Sequence, residues 1–363
     1  MADKASNDIG SQAILKGGPE TKIDIKEEVI DCDAHIRETV DDMLPYVEDG
    51  EAKSYVESEY FAYPWDGWDR SAGGRAGYAT VRGPEDEAEV MENLSLDLAI
   101  LSPTKNLYHG LLGNHDVANA LARAYNEFIL DVWLDESDLF KSGIFVPVQD
   151  PQEGADLIDD HAHEEDMACV FLNPVGPEKA LGDERYDPIY EAAERHNLPI
   201  ALHGAATTHS KFPLQTDYFH KFLEVHALSH PFQQMTQITS ILCRGVPAKF
   251  PDLDFITMEA GLGWLPYIYR LDKEFLARRN EAPLLDKLPS EYFQEQFYAV
   301  SQPLEETANV EYLAELAGGW DRLLFATDWP HWDFDSPTVV QEMFPKEHWS
   351  KVYHENARSV YRL

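Results

Sequence analysis

Eight short apolar runs, separated by segments of helical periodicity, constrain this chain more than any other feature of its sequence. They occupy residues 29–33, 98–101, 143–148, 169–172, 199–203, 255–259, 297–300 and 323–328. Most are continuously apolar and do not alternate, the pattern of parallel strands covered on both faces. Between them, residues 116–134 place Val117, Leu121, Ala124, Phe128 and Val132 on one stripe of a helix. Another helix starts at Asp187-Pro188, with Asp187 suited to the cap and Pro188 to the first helical position. Strand and helix alternating eight times predict an α/β fold, a (β/α)8 TIM barrel. A doubly wound open sheet would carry a glycine-rich dinucleotide turn after its first strand, and none stands here.

Residues 1–27 are polar and aperiodic and read as an N-terminal extension, leaving 28–363 as a single barrel domain. The stretch 48–83, rich in Tyr, Trp, Asp and Gly, is longer than a plain barrel loop and reads as a rim insertion after the first strand. No apolar run approaches the roughly 18 residues of a membrane span. The first residues lack an apolar signal core, so a cytoplasmic protein is expected. Cys32, Cys169 and Cys243 are too scattered for a disulfide framework or a thiolate zinc site. The formal net charge of −37 repels nucleic-acid phosphates and anionic lipid, which excludes both as partners. Acidity spread along the whole chain, and not gathered in a tail, points to adaptation to high salt, where counterions screen self-repulsion.

Barrel chemistry stands where strands end at the C-terminal face. The first strand runs into Asp33-Ala34-His35, and alternation puts residues 33 and 35 on one side. The fifth ends in His203, the sixth in Glu259 and the eighth in Asp328. Ionisable groups that repeatedly end apolar strands on the same face are costly to bury without a partner. Two imidazoles and up to three carboxylates suit one divalent cation. Any one of them alone fits a hydrogen-bonded core residue, and Asp31 is read that way, as the cap of a turn.

The motifs V-I-D-C-D-A-H, P-I-A-L-H-G, F-P-D-L-D-F-I-T-M-E-A-G-L-G-W-L-P and L-L-F-A-T-D-W-P-H-W-D, closed by N-A-R-S-V-Y-R-L, resemble the amidohydrolase superfamily. The similar branch is the amidohydrolase-related group that includes aminocarboxymuconate semialdehyde decarboxylase and the aromatic-acid decarboxylases. It extends from about residue 29 to the C-terminus. The resemblance implies a mononuclear metal enzyme in which Asp33 and His35 match the first-strand ligand pair, His203 the fifth-strand ligand and Asp328 the eighth-strand aspartate. Asn173 ends the fourth strand where a binuclear relative would carry a carbamylated lysine. Glu259 stands where the family usually shows a catalytic histidine. A carboxylate can be a ligand or a base, but it cannot polarise a carbonyl as an imidazole does. His226 and His230, between strands five and six, are the histidines that could reach the rim in its stead. Their alternative is a helix in which they cap or pack.

Other residues are weaker candidates. Arg37 could hold a substrate carboxylate or pair with Glu38 or Asp41. Trp65, Trp68 and Tyr63 could form an apolar lid. His331 could contact substrate or support Asp328. His109 and His115 flank a loop that could line the mouth. His161 and His163 diverge on a helix and read as solvated.

The expected protein is a metal-dependent hydrolase holding one divalent ion, Zn or Mn, through Asp33, His35, His203 and Asp328. Asp328 takes a proton from a metal-activated water, and Glu259 or His226 supplies the second acid/base function. The substrate is small and carboxylated. The alternatives are non-oxidative decarboxylation of an aromatic or muconate-like acid, and an inactive barrel that serves as a binding module. The resemblance and the rim insertion together imply a homo-oligomer, most simply a dimer.

Overall fold

The computed structural model describes residues 22–48, 50–59, 83–207, 216–305 and 309–363. Most of the N-terminal extension and of the rim insertion, with Tyr63, Trp65 and Trp68, lies outside the described residues. Eight strands pair in parallel in the order of the sequence: β1 (Ile30–His35), β2 (Leu98–Ser102), β3 (Phe140–Phe145), β4 (Met167–Leu172), β5 (Ile200–His203), β6 (Phe255–Met258), β7 (Phe297–Val300) and β8 (Leu323–Leu324). The connections include helices α1 (Pro84–Leu94), α2 (His115–Ile129), α3 (Pro151–His161), α4 (Asp187–His196), α5 (Phe222–Cys243), α6 (Ile268–Arg278) and α7 (Val310–Ala317), with at least one helix in each interval from β1 to β8. Every residue of β1, β4, β5, β6, β7 and β8 is buried, as a sheet wrapped in helices requires. No helix among the described residues is long and apolar enough to cross a membrane.

The barrel closes between its last and first strands through three main-chain bonds. Cys32 N–H donates to Phe325 O at 3.0 Å, Asp328 N–H to Asp33 O at 2.7 Å, and His35 N–H to Trp329 O at 2.7 Å. The eighth run is apolar over 323–328, yet only Leu323 and Leu324 keep strand geometry. Beyond them the chain finds other acceptors. Phe325 N–H donates to Val352 O at 3.1 Å, and Thr327 N–H donates to the Asp31 carboxylate at 2.8 Å. Asp31 also accepts from Asp33 N–H at 3.1 Å, so it staples β1 to the chain after β8 and does not simply cap a turn. Burial pushes its carboxyl up to about 7, against the pull of the Thr327 and Asp33 donors.

Among the boundaries that differ from the sequence reading, three have local causes. β3 starts at Phe140, because the polar Lys141 and Ser142 are held by Asp166 and by Leu101 O, and it ends before Pro147, which has no N–H to donate. α2 begins at His115, where the Asn114 side chain accepts from Asp116 N and Val117 N, and passes into a wider π-helical turn over Leu130–Leu134. Asp187 and Pro188 both lie inside α4, whose N-cap is Tyr186; the Asp187 carboxylate instead receives Lys249 Nζ at 2.7 Å.

Candidate functional site

The register of β1 against β2 shifts where Asp31 pairs with Ala99 and Ala34 with Leu101. Such a bulge re-aims side chains at a barrel rim. Asp33 and His35 consequently meet, with Asp33 Oδ1 3.5 Å from His35 Nε2. Across the mouth, His203 Nε2 lies 3.0 Å from His35 Nε2 and 3.2 Å from Asp33 Oδ2. Asp328 Oδ1 lies 3.2 Å from His35 Nε2. The structure therefore brings together all four residues read as ligands from the strand ends.

The hydrogen positions follow from the backbone. His35 Nδ1 lies 2.8 Å from Pro103 O, and His203 Nδ1 lies 2.8 Å from Gly204 O. A carbonyl only accepts, so each Nδ1 carries the hydrogen and each Nε2 presents a lone pair. Asp33 Oδ1 accepts from Ser102 Oγ at 2.6 Å, while the buried Asp33 Oδ2 has no hydrogen-bond partner. Acceptors of two imidazoles and two carboxylates thus converge out of reach of water. Ligand atoms bound to one ion at about 2.0–2.2 Å stand about 3 Å apart, so this donor set fits a divalent cation. The surrounding electrostatics agree. Burial first, then the charges of Asp333 and Asp33, push the Asp328 carboxyl well above its ordinary range. Burial and the imidazoles of His331 and His203 hold His35 well below its usual value. His331 Nδ1 bonds Asp328 Oδ1 at 2.5 Å, the supporting contact expected of it.

Glu259 stands over this cluster. Its Oε2 is 3.5 Å from His203 Nε2 and 3.4 Å from His230 Nε2, and its Oε1 is 3.7 Å from His226 Nε2. Burial and the carboxylates of Asp328, Asp333 and Asp33 raise its carboxyl well above normal. Glu259 and Asp328 both adopt left-handed backbone, with φ of 47° and 61°. Conformations of that kind cost free energy in residues with a Cβ and gather at functional sites.

His226 and His230 are helical, as the alternative reading had it, and they still reach the site. They lie one turn apart on α5, and α5 is docked on the strand ends by buried glutamines. Gln233 Oε1 accepts from Ala205 N at 2.9 Å. Gln234 Nε2 donates to Leu202 O at 2.6 Å and to Met258 O at 3.2 Å. The approach depends on Gly204, where a Cβ would sit 2.4 Å from Gln233 Oε1 and 3.0 Å from the His230 ring. A buried carboxylate also escaped the sequence reading. Glu38 accepts from the N–H groups of Thr104, Lys105 and Asn106, at 3.1, 3.1 and 2.8 Å. It fixes the loop whose Pro103 carbonyl orients His35. Its sequence neighbourhood, R-E-T, gives no sign of this, whereas the clustered glutamines of F-Q-Q-M-T-Q were a legible one.

A small cavity of about 40 Å³ opens above the cluster, walled by Phe222, Trp332, Tyr108, His226, His331 and Glu259 among others. The rings of His226 and Trp332 stand 4.4 Å apart. The remaining candidates stand elsewhere. Arg37 is exposed beside Lys105 and is not among the described residues of the cavity wall. His109 is buried with Nε2 2.8 Å from Ala118 O, so it packs the loop and does not line the mouth; His115 is half-exposed at the start of α2. His161 ends α3 and His163 is exposed beyond it.

The sequence and the fold have counterparts. The chain is 26% identical over 268 residues to the γ-resorcylate decarboxylase of Polaromonas sp., covering 68% of this chain and 77% of the relative. Its fold resembles that of an amidohydrolase from Mycobacterium avium subsp. paratuberculosis, with a TM-score of 0.75 at 17% identity over 93% of this chain and 100% of the other. It also resembles a 5-carboxyvanillate decarboxylase from Novosphingobium aromaticivorans complexed with manganese and 4-hydroxy-3-methoxy-5-nitrobenzoic acid, with a TM-score of 0.71 at 22% identity over 96% and 99%. The amidohydrolase family model matches residues 30–363, the whole barrel from β1 to the C-terminus, and the chain belongs to that family.

Proposed function

We propose that this protein is a divalent-metal-dependent enzyme that decarboxylates a small aromatic acid without oxidation. The observation that carries the reading is the set of four converging acceptors, Asp33 Oδ2, His35 Nε2, His203 Nε2 and Asp328 Oδ1, at the floor of a cavity with aromatic walls. Of the two reactions that the strand-end residues allow, decarboxylation is favoured over hydrolysis by the relatives, which include decarboxylases of γ-resorcylate and of 5-carboxyvanillate.

Asp33, His35, His203 and Asp328 would hold the ion, with manganese favoured by the manganese-bound relative. A dication held there would supply Lewis-acid stabilisation of negative charge on the substrate. Trp332, Phe222 and Tyr108 bury the ring and exclude water. When the bond to the carboxyl carbon breaks, its electron pair stays on the ring carbon, carbon dioxide leaves, and that carbon takes a proton. Glu259, standing over the cluster within 3.5 Å of His203 Nε2, is the candidate donor of that proton, with His226 beside it to reload it. His331 holds Asp328 in its ligating orientation. Arg37, and Trp65 and Trp68 outside the described residues, remain candidate substrate contacts.

The test is incubation of manganese-loaded protein, in molar KCl, with hydroxybenzoates and methoxy-hydroxy-benzenedicarboxylic acids, scored for carbon dioxide and the decarboxylated phenol. Aryl lactones and amides run in parallel. We expect metal-dependent decarboxylation and no hydrolysis. Hydrolysis of a lactone or amide without any decarboxylation overturns the reading in favour of a hydrolase.

A further inference from the structure

The site contains a second set of ligand atoms that the metal centre above does not use. His226 and His230, at i and i+4, project from the same face of α5, and their Nε2 atoms lie 3.7 and 3.4 Å from the two oxygens of Glu259. All three ligand atoms fall within 4.8 Å of one another. Ligands at about 2.0–2.1 Å from a tetrahedral zinc stand about 3.3 Å apart, so the set closes on an ion with only small rotations.

The surroundings complete a binding site. The His230 ring lies against the His226 ring, with centroids 5.1 Å apart. On His226 the other ring nitrogen, Nδ1, faces Asp333 Oδ2 at 3.8 Å, a carboxylate behind a ligating histidine. The Asp333 Oδ1 atom is buried without a hydrogen-bond partner. His226, His230 and Glu259 also form the wall between the substrate cavity and a neighbouring groove lined by Trp264, Tyr267 and Arg270. An ion can therefore enter from either side.

We propose that His226, His230 and Glu259 form a second cation site, selective for zinc, with the Glu259 carboxylate lying between it and the centre at Asp33, His35, His203 and Asp328. Two imidazoles and one carboxylate, with a fourth position open to the cavity, are the donor set of a zinc site. The first centre, with its two carboxylates, is the harder of the two. The second site uses α5, so it does not need the fourth-strand lysine that this chain lacks at Asn173. Zinc there occupies both Glu259 and His226, which the proposed reaction uses. Zinc beyond the first metal equivalent is thus inhibitory, a consequence that rests on the decarboxylase reading, whereas the binding does not.

The test is a zinc titration of protein preloaded with one equivalent of manganese, followed by elemental analysis and by crystallography at the manganese and zinc absorption edges. The expected result is one manganese and one zinc per chain, with the zinc peak between His226, His230 and Glu259. His230→Gln should keep its manganese and lose the zinc, with a fall in zinc affinity beyond the about 10–100-fold that loss of an outer partner costs. A wild-type crystal with zinc only in place of manganese, or undiminished second-site zinc in His230→Gln, overturns the proposal while leaving the first centre intact. Failure of manganese to bind, with zinc still at the second site, instead overturns the reading of the first centre. The wild-type measurement needs no variant to fold.

Discussion

The backbone N–H of Asp328 donates to the backbone carbonyl of Asp33 at 2.7 Å. The bond that helps close the barrel thus also fixes the two carboxylates that face the imidazoles of His35 and His203. A cation held by these carboxylates would tie the same two segments together, so metal should stabilise the fold. Saturation at about a hundred times the dissociation constant is worth about 2.7 kcal/mol. We expect chelation to lower the melting temperature and to speed hydrogen exchange at Cys32, His35 and Asp328. His203→Asn should bind manganese at least about 100-fold more weakly. Calorimetry with and without chelator checks the first effect, and an unchanged melting temperature contradicts it.

Glu259 directly follows β6 and stands 3.5 Å from His203 Nε2. Glu259→Gln preserves its shape and removes its proton chemistry, so turnover should fall by about 10²–10⁴-fold with manganese still bound. If His226 carries the proton alone, His226→Asn shows that loss and Glu259→Gln does not. Near-wild-type turnover in both variants, with metal content verified, removes both residues from the mechanism.

Glu87 is a buried carboxyl on α1 whose two oxygens lack hydrogen-bond partners. Burial, then the nearby charges of Asp31 and Asp86, push it from 4.5 up to about 8. The folded state therefore keeps this proton to higher pH than the unfolded chain does. Stability is lost as pH rises from about 4.5 to about 8 and stays lower above that. At 1.36 kcal/mol per pH unit the loss is at most about 5 kcal/mol. Glu87→Gln should flatten this part of the profile, so that its advantage over wild type grows toward pH 8. Urea unfolding of both proteins at pH 5 and pH 8 measures it, and parallel profiles refute the assignment.

The net charge of −37 predicts a steep response to salt. At 0.1 M the screening length is about 10 Å, and at 1 M about 3 Å. We expect the melting temperature to climb from low salt into molar KCl and to stay flat with an equal osmolarity of sucrose. A profile independent of salt removes the argument for a high-salt origin. Sedimentation in the same buffers should show a dimer.

The alternation of apolar runs with helical stripes sufficed to determine the barrel, because strand burial and helical periodicity are written within a few residues of each position. It also brought the strand-end residues Asp33, His35, His203, Glu259 and Asp328 into one neighbourhood, because a barrel puts its strand ends at one mouth. Only the tertiary structure decided what surrounds them. That β8 shrinks to two residues depends on Asp31, 296 positions away in the chain from Thr327. That α5 brings His226 and His230 to Glu259 depends on Gln233 and Gln234 finding the carbonyls and N–H groups of β5 and β6, and on Gly204 having no side chain. That His35 is oriented at all depends on Glu38 holding a loop 66 residues further on. These are hydrogen bonds between groups distant in sequence, satisfied because burial makes an unpaired polar group costly. Local sequence carries the demand for a partner, but only the folded chain determines which partner arrives.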